Sequence, residues 1–237
     1  MSVVDSDSWI FVNYTPGAFG SFLTKVLELS PDVHGAKTTD IFNQYNASHN
    51  DITHWIKYFH DGDDLNSWAV LSYEEQQQYI LNNINTTLIS TTNLKRVHRL
   101  TIPKYNYLFK QHFSRAKFIK ITIDPSSINF IVDMMCRKTF YDWKTFKILH
   151  PLKKIMLNIE DNKQQEYYKK ICQTHITNIL DNSIEKDTFN FPVRAFFSLE
   201  QFNTEIDKLT SWLNIQPENC QELYNKFFLH HNKFKQL

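Results

Sequence analysis

The stretch that most limits how this chain can fold is Trp9-Ile10-Phe11-Val12-Asn13-Tyr14-Thr15-Pro16-Gly17-Ala18-Phe19-Gly20-Ser21-Phe22-Leu23. Trp9 to Val12 is a short apolar run bounded by turn residues, the pattern of a buried strand. Thr-Pro-Gly then turns the chain. Beyond Gly20-Ser21, the residues Phe22, Leu23, Val26, Leu27 and Leu29 recur at helical spacing until Ser30-Pro31. A strand, a glycine turn and a helix in this order gather backbone N–H groups at a helix N-terminus, where they can hold a phosphate. The same order also makes an ordinary βα turn that binds nothing, and spacing alone does not separate the two.

Glycine usage adds weight to this stretch. Average composition, about 7% glycine, would place roughly 17 in a chain of this length. There are four, Gly17, Gly20, Gly35 and Gly62, and two fall in one four-residue window. Residues spent so sparingly are expected where φ is positive or where backbone must approach something closely. No Lys-Ser/Thr pair follows Gly20, so the full Walker pattern is missing.

With 237 residues, the chain is expected to form one domain over 1–237, with a long polar excursion at about 35–70. Its 19 Phe and 11 Tyr predict a core built largely from rings. A formal charge of +1 gives no whole-molecule field for nucleic acid, so any anion site must be local. Cys136, Cys172 and Cys220 are far apart and show neither CxxC nor metal spacing, which predicts reduced thiols. The acidic, polar N-terminus does not read as a signal peptide, and no apolar run reaches the roughly 18 residues of a membrane span. The expectation is a cytoplasmic protein with no membrane or nucleic-acid partner.

Further elements follow in order. The excursion carries His49, His54 and His60 and the aromatic island 55–59, as a lid or substrate loop would. Ser72 and Glu75 form a capping box for a helix to about residue 85, and 86–90 has strand character. Residues 93–100 predict a strand, with a helix from Pro103 to about Phe113. Lys117–Ile123 alternates as a strand ended by Asp124-Pro125, and Ser126 is expected to cap a helix through Met135. A long amphipathic helix is expected over 163–180, and a last strand or extended segment over 193–198. Ser198 caps a helix to Leu213, and Pro217 opens a final helix to about Leu229. Strands alternating with helices predict an α/β fold, a three-layer α/β/α arrangement around a mostly parallel sheet. The glycine loop, His98 and Asp124 would then share its carboxyl edge.

The order of these pieces resembles the P-loop sulfotransferase family, including its short phage and marine-bacterial members. Four segments carry the likeness: 11–23, Arg96-Val97-His98-Arg99-Leu100, Phe118–Pro125, and Phe197 through Ile215. The resemblance implies that 3′-phosphoadenylyl sulfate is the donor substrate, that no metal is used, and that a hydroxyl or amine of a small molecule or glycan is the acceptor. It implies donor contacts from Gly17, Ala18, Phe19, Gly20, Ser21, Phe22, Arg96 and Asp124, with His98 as catalytic base. The chain departs from the family where the loop should carry Lys or Arg before Ser-Gly, where Ile123 replaces Arg before Asp-Pro, and at Ile131, where a serine is expected. Arg96, Arg99, Lys104 and Lys120 are the cations that could substitute. A different outcome is a degenerate P-loop protein with a non-catalytic nucleotide-binding or assembly role, self-association included. A P-loop kinase is disfavoured by the missing Lys-Ser/Thr.

Overall fold

Trp9–Asn13 forms β1, buried at every position, and the rest of the sheet is built outward from it. The computed structural model describes residues 7–15, 18–35, 37, 39, 72, 74–75, 78, 94–100, 110, 112–133, 163, 166, 169–170, 173–174, 176 and 187–235, without the side chains of 98–100 and 228–235. Within these, β2 (Arg96–Leu100), β3 (Lys117–Thr122) and β4 (Thr188–Pro192) complete a four-stranded sheet of order β2-β1-β3-β4. All three pairings are parallel. This bears out the α/β expectation. Most of the excursion, the 86–90 strand and most of the 103–113 helix lie outside the described residues.

Alternation along the strands sorts the two faces. On one face Ile10, Val12, Ile119, Ile121 and Phe191 pack with Phe22, Leu23, Val26 and Leu27 of helix α1 (Gly20–Glu28). The same cluster takes in Phe202, Ile206, Leu209 and Leu213 of α2 (Leu199–Leu213) and Leu223, Tyr224 and Phe227 of α3 (Cys220–Lys235). On the other face Phe11 stacks on Phe118 of the neighbouring strand at 5.0 Å between ring centroids. Phe113 sits edge-on to Phe11 at 5.0 Å and to Trp9 at 5.5 Å. With both faces covered, β1 reads as a continuous apolar run, as parallel strands do.

The helix ends are closed by side chains that the sequence largely announces. Ser72 and Glu75 exchange hydrogen bonds, backbone N–H to Oε2 at 2.7 Å and N–H to Oγ at 3.2 Å. Ser198 Oγ accepts from the Gln201 N–H. At the C-terminal ends, lysines do the work. Lys95 Nζ donates to the carbonyls of Leu213 (2.5 Å) and Asn214 (2.9 Å) after α2. Lys37 Nζ donates to the carbonyls of Glu28 (2.7 Å), Ser30 (2.5 Å) and Val33 after α1. These cations lie where unsatisfied carbonyls and the helix dipole favour them.

Four expectations are corrected. The last strand is Thr188–Pro192, not 193–198: Phe189 and Phe191 alternate with Thr188 and Asn190 in register with β3, and Val193–Phe197 coils into a 3-10 turn that buries Val193, Ala195 and Phe196. The helix at 128–133 is approached through a 3-10 turn capped by Asp124, not Ser126. α3 starts at Cys220, because Asn219 just before it takes a left-handed φ of 57°. It runs to Lys235, so the basic tail continues the helix. No helix among the described residues is long and apolar enough to cross a membrane.

Candidate functional site at the carboxyl end of the sheet

β1 and β3 are neighbours, yet the chain leaves β1 toward β2 on one side and β3 toward β4 on the other. Diverging connections of this kind open a crevice beyond the carboxyl ends of the two strands. The turn after β1 and Asp124 after β3 flank it.

The turn is tightly built. The Ala18 N–H donates to the Thr15 carbonyl at 2.9 Å, reversing the chain across 15–18. Phe19 adopts a left-handed backbone, φ 60° and ψ 17°, and sits at the N-cap of α1 without a side-chain hydrogen bond. A bulky residue in this region is strained. Its ring packs against Phe196 (5.1 Å), Phe227 (5.5 Å), Phe130 (6.1 Å) and Phe197 (6.2 Å). The first intrahelical bond runs from the Leu23 N–H to the Phe19 carbonyl at 3.0 Å, so the amides of the first turn precede the helical ladder. Residues 13–24 carry no charged side chain. Attraction for an anion here rests on main-chain dipoles.

The close approach at Gly20 has an internal cause. A Cβ at Gly20 would lie 2.0 Å from Cγ and Cδ1 of Tyr14. Tyr14 is buried, and its hydroxyl lies 3.3 Å from Ser21 Oγ. The ring of Tyr14 thus rests on the bare backbone of the helix start. Phe22, expected among the donor contacts, is a core residue stacked 4.1 Å from Phe227, so only its main chain faces the turn's chemistry. Gly17 lies outside the described residues.

Three expected site residues come from other strands. Asp124 stands beyond β3, and its carboxylate accepts from the Ser126 hydroxyl, the Ser127 hydroxyl (2.7 Å) and the Ser127 N–H (3.1 Å). These bonds hold it below the usual carboxylate range, the Ser126 and Ser127 hydroxyls contributing most. Its oxygens serve a helix cap. Arg96 pairs with Trp9 at the amino end of the sheet, four residues before β2 ends, and is not brought to the turn. His98 lies in register with Phe11, two residues inside β2 rather than beyond it. The sequence reading did not raise His112, which is buried and held below the ordinary histidine range by that burial.

It also missed a row of polar residues. Asn13, Lys120 and Asn190 occupy one register line across β1, β3 and β4. Asn13 and Lys120 are fully buried. Thr15, two residues past Asn13, is 1% exposed, and its Oγ1 is without a hydrogen-bond partner, as is the buried Oδ1 of Asn190. The signal was present: polar residues interrupt apolar strands at matching positions. Without the register, nothing linked them. No group of His, Cys, Asp and Glu among the described residues could hold a metal ion.

No protein-family model matches the sequence, and no curated protein matches it. Among solved structures, the chain is similar to a sulfotransferase domain from the curacin biosynthetic pathway, at 14% identity and a TM-score of 0.41 over 89% of this chain and 75% of that one. It is also similar to a sulfotransferase domain from the Synechococcus PCC 7002 olefin synthase, at 10% identity and a TM-score of 0.40 over 91% of this chain and 76% of that one. Likeness this distant transfers no residue role.

Proposed function

We propose that the chain binds 3′-phosphoadenylyl sulfate at the β1–α1 turn and transfers its sulfuryl group to a hydroxyl or amine acceptor. The observation that carries this reading is the placement of the strand–turn–helix at the crevice between β1 and β3, with the α1 N-terminus at its lip. In this reading, main-chain amides at the start of α1, over Phe19–Phe22, receive the donor's phosphosulfate. His98 removes the acceptor proton, the acceptor oxygen or nitrogen bonds to sulfur, and the sulfur–oxygen bond to the phosphate breaks. 3′-Phosphoadenosine 5′-phosphate departs.

The test is thermal unfolding with 3′-phosphoadenosine 5′-phosphate, with ATP and with buffer. A ligand at about 100 times its dissociation constant stabilises by roughly 2.7 kcal/mol, a rise of about 5–11 °C for a domain of this size. A rise with the adenosine bisphosphate but not with ATP is expected, and no rise defeats the reading. His98→Ala is expected to keep that rise and lose transfer; unchanged turnover removes His98 as base.

A second reading, a degenerate P-loop with an assembly role, draws on the turn itself. Tyr14 fills the space above Gly20, Phe19 joins the aromatic cluster, and no charge lies between residues 13 and 24. It requires that neither nucleotide raises the melting temperature.

A further inference from the structure

We infer that Phe19 is a positioning residue: its ring is clamped between α3 and the segments that follow β3 and β4, and the clamp holds its backbone left-handed, which sets the direction of the amides opening α1. The role rests on the proposed donor-binding reading; the clamp itself is judged without ligand.

The choice of residue is the first observation. Four non-glycine residues among those described have positive φ: Phe19, Asp187, Asn214 and Asn219. Asp and Asn tolerate this region, whereas a large side chain does not. Glycine would take φ 60° without strain, and a glycine stands at the next position. Gly20, however, begins α1, and what it supplies there is space for the Tyr14 ring. An N-cap is ordinarily extended and polar; this one is neither. A strained residue persists only where its surroundings over-determine it, and such residues cluster at active sites and ligand clamps.

The surroundings come from three separate parts of the chain. Phe227 of α3 lies 5.5 Å from the Phe19 ring and stacks 4.1 Å from Phe22, on the first turn of α1. Phe196, 5.1 Å away, is buried in the turn after β4, and its carbonyl accepts from the Tyr224 hydroxyl of α3 at 3.2 Å. Phe130, from the helix after β3, meets Phe197 edge-on at 4.7 Å, and both rings reach Phe19, at 6.1 and 6.2 Å. The clamp is thus tied together without Phe19.

What it fixes is the junction between turn and helix. The Phe19 carbonyl accepts the first helical bond, from the Leu23 N–H at 3.0 Å, while the Ala18 N–H is held by the Thr15 carbonyl at 2.9 Å. Rotation at Phe19 would swing one against the other. A left-handed residue followed by a helical one turns successive N–H groups toward one side, an arrangement that suits an anion. With no charged side chain over 13–24, attraction depends on that direction.

Phe19→Ala and Phe19→Gly both remove the ring but differ in what the backbone then prefers. Glycine populates the left-handed region about as readily as the right-handed one, and alanine rarely does. Apparent affinity scales with the competent fraction. Titration of the full chain with 3′-phosphoadenosine 5′-phosphate is therefore expected to show affinity about tenfold weaker in Phe19→Ala and only about twofold weaker in Phe19→Gly. A role in packing alone, or direct contact of the ring with the ligand, would weaken the two equally, and that result overturns the inference. So does wild-type affinity in Phe19→Ala. Phe197→Ala spares the core, because that ring is 41% exposed. It is expected to weaken affinity with Phe19 present and to change nothing in Phe19→Gly; equal weakening in both also overturns the inference. Without ligand, Phe19→Gly is expected to melt about 2–4 °C above Phe19→Ala, and the reverse order removes the clamp. A wild type that gives no response to the adenosine bisphosphate defeats the sulfuryl-transfer reading, and the melting order then decides alone whether the clamp stands.

Discussion

Replacing Gly20 with alanine isolates what the scarce glycine is for. The new Cβ would meet Cδ1 and Cγ of Tyr14 at 2.0 Å and Cε1 at 2.4 Å, far inside van der Waals contact. Tyr14 is 8% exposed and belongs to the main core, so its ring has little room to retreat. Overpacking of this kind costs about 1–3 kcal/mol, and three ring atoms in collision argue for the upper end. Against this, alanine in place of glycine within a helix stabilises by about 0.5–1 kcal/mol. The net expectation is a loss of about 2 kcal/mol, or a melting temperature lower by about 4–8 °C. In a Tyr14→Ala background the collision is gone and only the helical gain remains, so the same substitution should stabilise by about 0.5–1 kcal/mol. The coupling between the two positions is then about 2–3 kcal/mol, within the range seen for residues in contact. Thermal unfolding of the four proteins in the cycle measures it. If Gly20→Ala destabilises by the same amount with and without the tyrosine ring, the close approach of Tyr14 is not the reason for glycine, and the reasoning fails.

Two further outcomes follow from the caps. Asp124→Ala is expected to cost about 1 kcal/mol near neutral pH through loss of the cap acceptor. Because the folded-state carboxyl is held below its ordinary range, its contribution is present above the ordinary carboxylate range and fades as pH falls through the lowered value; melting curves of wild type and variant should converge below about pH 4. Lys95→Met should cost about 1 kcal/mol by freeing the carbonyls at the end of α2, measured as a lower midpoint in urea, and an unchanged midpoint would show that the lysine bonds add nothing.

The sheet was legible because its strands are short, apolar and punctuated. β1 carries a short apolar run and β3 a period-two alternation, each closed by turn signals in its own residues, and Ser72, Glu75 and Ser198 announce their helix starts. β4 was displaced because Val193-Arg194-Ala195-Phe196-Phe197 looks more strand-like than Thr188-Phe189-Asn190-Phe191. What decides between them is pairing with β3, a contact roughly 70 residues away in the chain. The turn's function was half legible. Two glycines in four residues marked a close approach, but the sequence could not say that Tyr14 makes it. The polar row was hidden for the same reason as β4, since Asn13, Lys120 and Asn190 become neighbours only through register. The strand through Leu100 was legible, but His98 was set at its carboxyl edge, and only the pairing with β1 shows that it lies level with Phe11, two residues inside β2.

The lysines that finish α1 and α2 have a consequence for the chemistry this protein can tolerate. Where other chains turn off a helix with a glycine, this one reaches back with an amine from Lys37 or across with one from Lys95. Acylation of either nitrogen would strip both its charge and its donors, so reagents or enzymes that cap lysines would loosen two helix ends at once without touching the sheet.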